Sequence, residues 1–296
     1  MRAGIITPVV TLNPRAHGTW EEAAGLPELT VLAEAADRLG YHHLTCSEHV
    51  AVPVEAAERR GSRYWDPLAT LGYLAARTTR IRLATHVLVL GYHHPLEIAK
   101  RYGTLDVVSG GRLILGVGVG SLEEEFTLLE APFPDRGDRG DDALRALRAS
   151  LGRREPEYHG PHYDFAGFVV DPPATRTDVP VWIGGRSYRS LRRAVELADG
   201  WAPFGVTVEQ IGAWMARAQD TEAWAARGQP LEIVLYPDPQ IDPVGDPDGT
   251  ADLVGRYVES GATILNLRFR ASSVQDCLDQ LAAMAERPEF SPASSG

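Results

Sequence analysis

Strand-like and helix-like segments alternate eight times along this 296-residue chain, and no other feature narrows its fold as much. Strand candidates begin at Ala3, His42, Ile81, Arg112, Pro180, Trp201, Leu231 and Thr263. Most are short apolar runs, as strands buried on both faces must be. Helical patterns fill the intervals: Pro27–Leu39, Pro67–Arg77, Pro95–Val108, Asp138–Leu151, Ser187–Ala198, Val208–Ala226, Asp248–Ser260 and Ser273–Ala285. Several open with proline or a Ser or Asp cap, and Gly40, Gly200 and Gly261 stand where helices should stop. Eight such units in this length describe an α/β protein with a (β/α)8 TIM barrel and insertion loops at its C-terminal face. The expected organisation is one barrel domain over residues 1–287, with 152–179 as a hairpin and linker insertion and 288–296 as a disordered tail. A second excursion, residues 50–64, reads as a loop or short helix after the second strand.

Composition closes off several function classes. The chain carries a formal net charge of -11, which argues against a nucleic-acid partner. No apolar run reaches membrane-spanning length, and the first residues read as a strand, so no membrane partner and a cytoplasmic location are expected. Two cysteines, Cys46 and Cys277, are too few for a disulfide framework or thiolate metal cluster. Lys100 is the only lysine, which removes most options for a Schiff base.

Chemistry collects where strands run out. Residues 109–120, Ser-Gly-Gly-Arg-Leu-Ile-Leu-Gly-Val-Gly-Val-Gly, form a turn and a strand closed by the alternate glycines Gly116, Gly118 and Gly120. Glycine within a strand lets another group approach the backbone closely, here at the end where barrels bind ligands. Ser121 stands where a dinucleotide fingerprint requires glycine, so the stretch is not one. Cys46-Ser47-Glu48-His49 ends the second strand, and an adjacent carboxylate and imidazole can hold a ligand or move a proton near neutral pH. Thr85 and His86 are a polar pair in an apolar third strand; a satisfied core histidine is the alternative for His86. His93 and His94 have no carboxylate at ligand spacing, so no metal is expected.

Gly184-Gly185-Arg186-Ser187 with Arg189 places glycines, a helix start and two arginines together, a pattern suited to an anion such as phosphate. The acids Glu123 to Glu125 fit the first turn of a helix and read as structural. Arg268 and Arg270 after the last strand could meet an anionic ligand or form a solvated rim.

Together these segments resemble the bacterial luciferase-like superfamily, and its deazaflavin-dependent branch in particular. The resemblance rests on Ser47-Glu48-His49, on 84–90 with His94-Pro95, and on 99–106. Residues 109–120, Pro132-Phe133 with Arg136-Gly137, 181–187 and 198–201 complete it. It implies coenzyme F420, or FMN as the alternative, as hydride carrier in the barrel mouth. It also implies a cis His86–Val87 peptide backing the ring, cofactor contacts at Thr85, His86, Val87, Gly118 and Gly120, and phosphate at Gly184, Gly185, Arg186 and Ser187, beside the Arg189 that the anion pattern adds as a cofactor contact. By the same resemblance Glu48 and His49 are the catalytic pair, His49 donating a proton or anchoring substrate and Glu48 orienting the ring or tuning His49. The hairpin around 158–165 matches an insertion that helps cover the site, and a homodimer is implied.

The expected activity is hydride transfer between the deazaflavin and a small organic substrate. The alternative is an FMN-dependent monooxygenase using oxygen, with a flavin reductase as partner, and a weaker one is a non-catalytic flavin-binding barrel. Three departures narrow the branch. Ser121 replaces the proton-donating glutamate of the sugar-phosphate dehydrogenases, Pro53 replaces their tryptophan, and Val119 replaces the luciferases' arginine.

Overall fold

The computed structural model describes residues 1–292. Eight parallel strands close into a barrel: β1 (Arg2–Ile5), β2 (His43–Cys46), β3 (Arg82–Thr85), β5 (Leu113–Gly118), β8 (Val181–Gly185), β9 (Gly200–Pro203), β10 (Glu232–Leu235) and β11 (Ile264–Leu267). They neighbour one another in that order. β3 pairs with β5, and β11 returns to β1 with Arg2 opposite Ile264. A two-residue strand, β4 (Leu88–Val89), continues β3 past a break and pairs with the end of β5. The expected barrel is therefore present, each strand beginning within a residue or two of its sequence signal.

The outer ring comprises α1 (Leu26–Leu39), α3 (Pro67–Arg77), α4 (Pro95–Ser109), α6 (Arg136–Ser150), α7 (Tyr188–Leu197), α8 (Val208–Gln219), α10 (Pro247–Glu259) and α11 (Val274–Ala285). Shorter helices are α2 (Val54–Arg60), α5 (Glu123–Leu128) and α9 (Glu222–Ala225). The helix expected over Val208–Ala226 is two, because the Thr221 hydroxyl accepts the Trp224 N–H and opens a new turn.

Size exchange fills the barrel interior. Trp182 is wholly buried, and a Cβ on Gly200 of the neighbouring strand would lie 2.3 Å from its ring. The His43 ring likewise occupies the space a side chain on Gly4 would need. Large residues on one strand thus require none on the next. At the opposite face from the strand C-termini, Asp37 accepts the N–H groups of Thr79, Arg80 and Ile81 and ties α1 to the entry of β3. Those bonds outweigh burial and lower its pKa.

The hairpin expected in 152–179 is β6 (Tyr158–His159) paired antiparallel with β7 (Asp164–Phe165). None of its residues lines the cavity at the strand C-termini. Asp142 on α6 accepts the N–H groups of His162 and Tyr163 and the Tyr158 hydroxyl, and Tyr163 packs edge-on against His94. These contacts pin the hairpin to the helical ring. The expected disorder over 288–296 is also corrected in part: Phe290 is buried against Tyr41, and the Ser291 N–H bonds to Met1 O. Residues 293–296 lie outside the described residues.

Candidate functional site

A cavity of about 620 Å³ opens at the C-terminal ends of the strands. Its floor is Val87. The chain leaves β3 at Thr85, passes through a cis His86–Val87 peptide, and rejoins the sheet as β4. This bulge is held from outside by Ser47, whose hydroxyl donates to His86 O at 2.8 Å, and by Glu48, whose Oε2 accepts the Val89 N–H at 2.6 Å.

The alternate glycines exist for this bulge. A Cβ on Gly116 would lie 2.0 Å from Thr85 O, and one on Gly118 would lie 2.9 Å from a Val87 methyl. One on Gly184 would lie 2.4 Å from the other Val87 methyl. The group that approaches these backbones is the protein's own chain, so Val87 stands as an apolar platform seated on two glycines. Gly120 serves a turn, with φ +78°, and leaves room for Phe126.

His49 rises beside the platform. Its Nδ1 is 2.7 Å from Glu125 Oε2, and its ring meets Tyr64 edge-on at 4.5 Å. The same carboxylate accepts the Tyr92 hydroxyl at 2.7 Å and the Val50 N–H at 2.5 Å. Burial pushes the Glu125 carboxyl up, but these donors outweigh it and the group is held below its ordinary range, an ionised acceptor. An anion at Nδ1 fixes the tautomer: the proton sits on Nδ1 and Nε2 carries the lone pair. The cavity-lining imidazole is thereby oriented for proton transfer through Nε2.

Glu48 lines the cavity, yet its carboxylate serves elsewhere, one oxygen on Val89 and the other 2.7 Å from His93 Nε2. Burial opposes a charge on His93, but Glu48 prevails and raises its pKa. The expectation that Glu48 tunes His49 is therefore corrected, since Glu125 has that place. Glu125 departs in this from the structural role expected of the acids 123–125. Its signal lies in the spacing: Leu122, just before α5, recurs with Glu125 and Phe126 at helical intervals, and all three are buried. A carboxylate in an apolar stripe needs a partner from elsewhere in the fold.

At the other end of the cavity, Gly184, Gly185, Arg186 and Ser187 lead into α7. The first N–H groups of a helix have no intrahelical acceptor, and Ser187 makes no side-chain cap bond. Donors and a guanidinium thus converge where an anion fits. His86 and Val87 line the floor. Two expected contacts do not reach the cavity. Thr85 is fully buried and donates to Gly116 O, so it helps build the bulge. Arg189 faces an outer groove between α7 and α8, one residue too far round the helix. Arg268 lines the cavity but forms a buried ion pair with Glu21, bridging both oxygens at 2.6 and 2.8 Å, so it is neither rim nor free anion contact. Arg270 is exposed.

A closed parallel (β/α)8 barrel with a bulged third strand, and a cavity at the strand C-termini with an apolar floor and a helix start at one end, defines a barrel with a ligand site at its mouth. The sequence profile of the luciferase-like monooxygenase family matches residues 1–243, and this chain belongs to that family. An uncharacterised Mycobacterium tuberculosis protein is 30% identical over 252 residues, covering 81% of this chain and 84% of its own. The F420-dependent glucose-6-phosphate dehydrogenase of Microbacterium testaceum is 31% identical over 184 residues, 61% of this chain and 53% of that protein. Among solved structures, the monooxygenase RslO1 from Streptomyces bottropensis superposes with a TM-score of 0.79 at 22% identity, covering 97% and 98% of the two chains. Structural neighbours include an F420-dependent secondary alcohol dehydrogenase in complex with an F420-acetone adduct, with a TM-score of 0.69 at 14% identity, and a Baeyer-Villiger monooxygenase component from Pseudomonas putida in complex with FMN, with a TM-score of 0.73 at 14% identity.

Proposed function

We propose that this protein is a coenzyme F420-dependent oxidoreductase that moves a hydride between the deazaflavin and a small organic substrate. The observation that carries the reading is the Glu125–His49 pair beside the Val87 platform. Family members are oxidoreductases or monooxygenases with F420 or FMN as cofactor, and hydride exchange with an organic substrate calls for a proton to move as well.

The residues fit the cofactor. The glycine-backed valine offers a flat apolar seat, and the uncommitted Ser187 hydroxyl with the N-terminus of α7 and Arg186 offers donors for a phosphate. Bound there, the deazaflavin supplies a two-electron carrier that gives or takes hydride at one ring carbon. His49 Nε2 takes a proton from an alcohol-type substrate, or returns one to a carbonyl-type substrate. Glu125 stabilises the imidazolium that forms and keeps Nδ1 protonated throughout. Tyr64 packs edge-on against the imidazole, and Tyr92 donates to its carboxylate partner Glu125. Glu48 and Ser47 keep the floor in place.

The test is a binding titration of protein purified from a host without deazaflavin, against F420 and against FMN. Tight F420 binding with weak FMN binding supports the reading. The reverse preference replaces it with a monooxygenase that uses reduced FMN and oxygen and needs a reductase partner.

A further inference from the structure

Five arginines line the cavity of this acidic protein: Arg60, Arg136, Arg186, Arg193 and Arg268. Their charges are not equally free. Arg268 is paired with Glu21 and Arg193 with Asp141. Arg136 donates to Gly120 O and lies over the Phe133 ring at 3.9 Å. Arg186 belongs to the anion cradle at α7. Arg60 remains. Among the described residues its guanidinium has no ion pair and no hydrogen bond, although it is half-buried in the cavity wall.

Its position is set from two sides. Arg60 ends α2, and Gly61, with φ +82°, follows it hard against Leu12 O. The backbone beyond it pairs with the loop after β1, Trp65 N–H bonding to Val10 O. The Tyr64 hydroxyl donates to Arg60 O at 2.9 Å, and the Tyr64 ring packs on His49. Arg60 therefore shares a wall with the imidazole, away from the cradle at α7. Burial raises the Tyr64 phenol above its ordinary value and the Arg60 charge opposes that rise, so the guanidinium faces this part of the cavity.

We infer that Arg60 is a specificity-determining residue that receives a carboxylate on the organic substrate while His49 faces the reacting carbon. One guanidinium matches one monoanion in a two-pronged pair. The α7 cradle combines a cation with free helix N–H groups, donors that suit the phosphate of the cofactor. Arg60 stands instead at the C-terminus of α2, where the carbonyls repel a second negative charge. This inference rests on the proposed hydride-transfer reading for the cofactor but not for the anion contact.

The test is calorimetric titration of the F420-loaded protein with matched probes, cinnamate and its methyl ester. The acid is expected to bind at least tenfold more tightly than the ester. Arg60→Met should bring the two within twofold while leaving F420 affinity and the thermal midpoint unchanged. Arg60→Lys should keep part of the preference. Equal binding of acid and ester by the wild-type protein overturns the inference, as does a preference that survives Arg60→Met. Should the protein take FMN and not F420, the hydride reading fails, and the same titrations on the FMN-loaded protein decide the Arg60 inference separately.

Discussion

His49 and Glu125 are 76 residues apart and meet at 2.7 Å, which makes their roles separable by substitution. His49→Ala should lower kcat by two orders of magnitude or more, with little change in cofactor Kd. Glu125→Gln should lower kcat by about tenfold to a hundredfold and shift the pH profile, because the amide no longer holds Nδ1 protonated. Stopped-flow hydride transfer and cofactor titration check both, and equal losses in kcat and cofactor affinity would remove His49 from proton transfer. Gly184→Ala tests the floor. Its methyl would stand 2.4 Å from Val87, so a loss of about 1–3 kcal/mol in urea unfolding is expected, together with weaker cofactor binding. Val87→Ala in the same chain should restore much of that loss.

At the scale of elements, local signals and distant ones part company. The strand starts were legible because buried parallel strands are continuous apolar runs, and Pro67, Pro95 and Gly40 mark helix ends by covalent geometry alone. The turn from Gly184 and Gly185 into α7 was legible for the same reason. The partners of Glu48, Glu125 and Arg268 were not, since each is supplied by another unit of the barrel. The glycines of β5 announce close approach in the sequence, but not that the approaching group is the bulge at 85–87. The loop after β1 depends on one such long-range pair: Arg268 meets Glu21, which also accepts the Val9 N–H. Arg268→Met leaves that carboxylate buried and unpaired, at a cost of about 3–5 kcal/mol, measured as a lower urea midpoint.

Across the whole molecule, buried histidines set the response to acid. Burial lowers His86 to about 4 and His42 to about 3, and His43 is lowered as well. Below their ordinary value of 6.5 the unfolded chain binds protons that the folded chain refuses, so stability falls as pH drops from 6.5 towards 4. Glu125 and Asp37, held below their ordinary values, add to the loss once pH nears theirs. His93 runs the other way: its contribution is complete below 6.5 and fades as pH rises through its raised value. Urea midpoints should therefore decline between pH 6.5 and pH 4, and His42→Asn should flatten the decline. An unchanged slope in that variant would assign the acid response elsewhere.

The valine seated on two glycines also constrains how such a barrel can diverge. Positions 118 and 184 belong to different strands, yet neither can gain a side chain while residue 87 keeps both methyls. A lineage that reshapes its ring seat must first shrink residue 87 and only then enlarge the others. The three positions should drift as a linked set across descendants, with the order of substitutions fixed by contact distance.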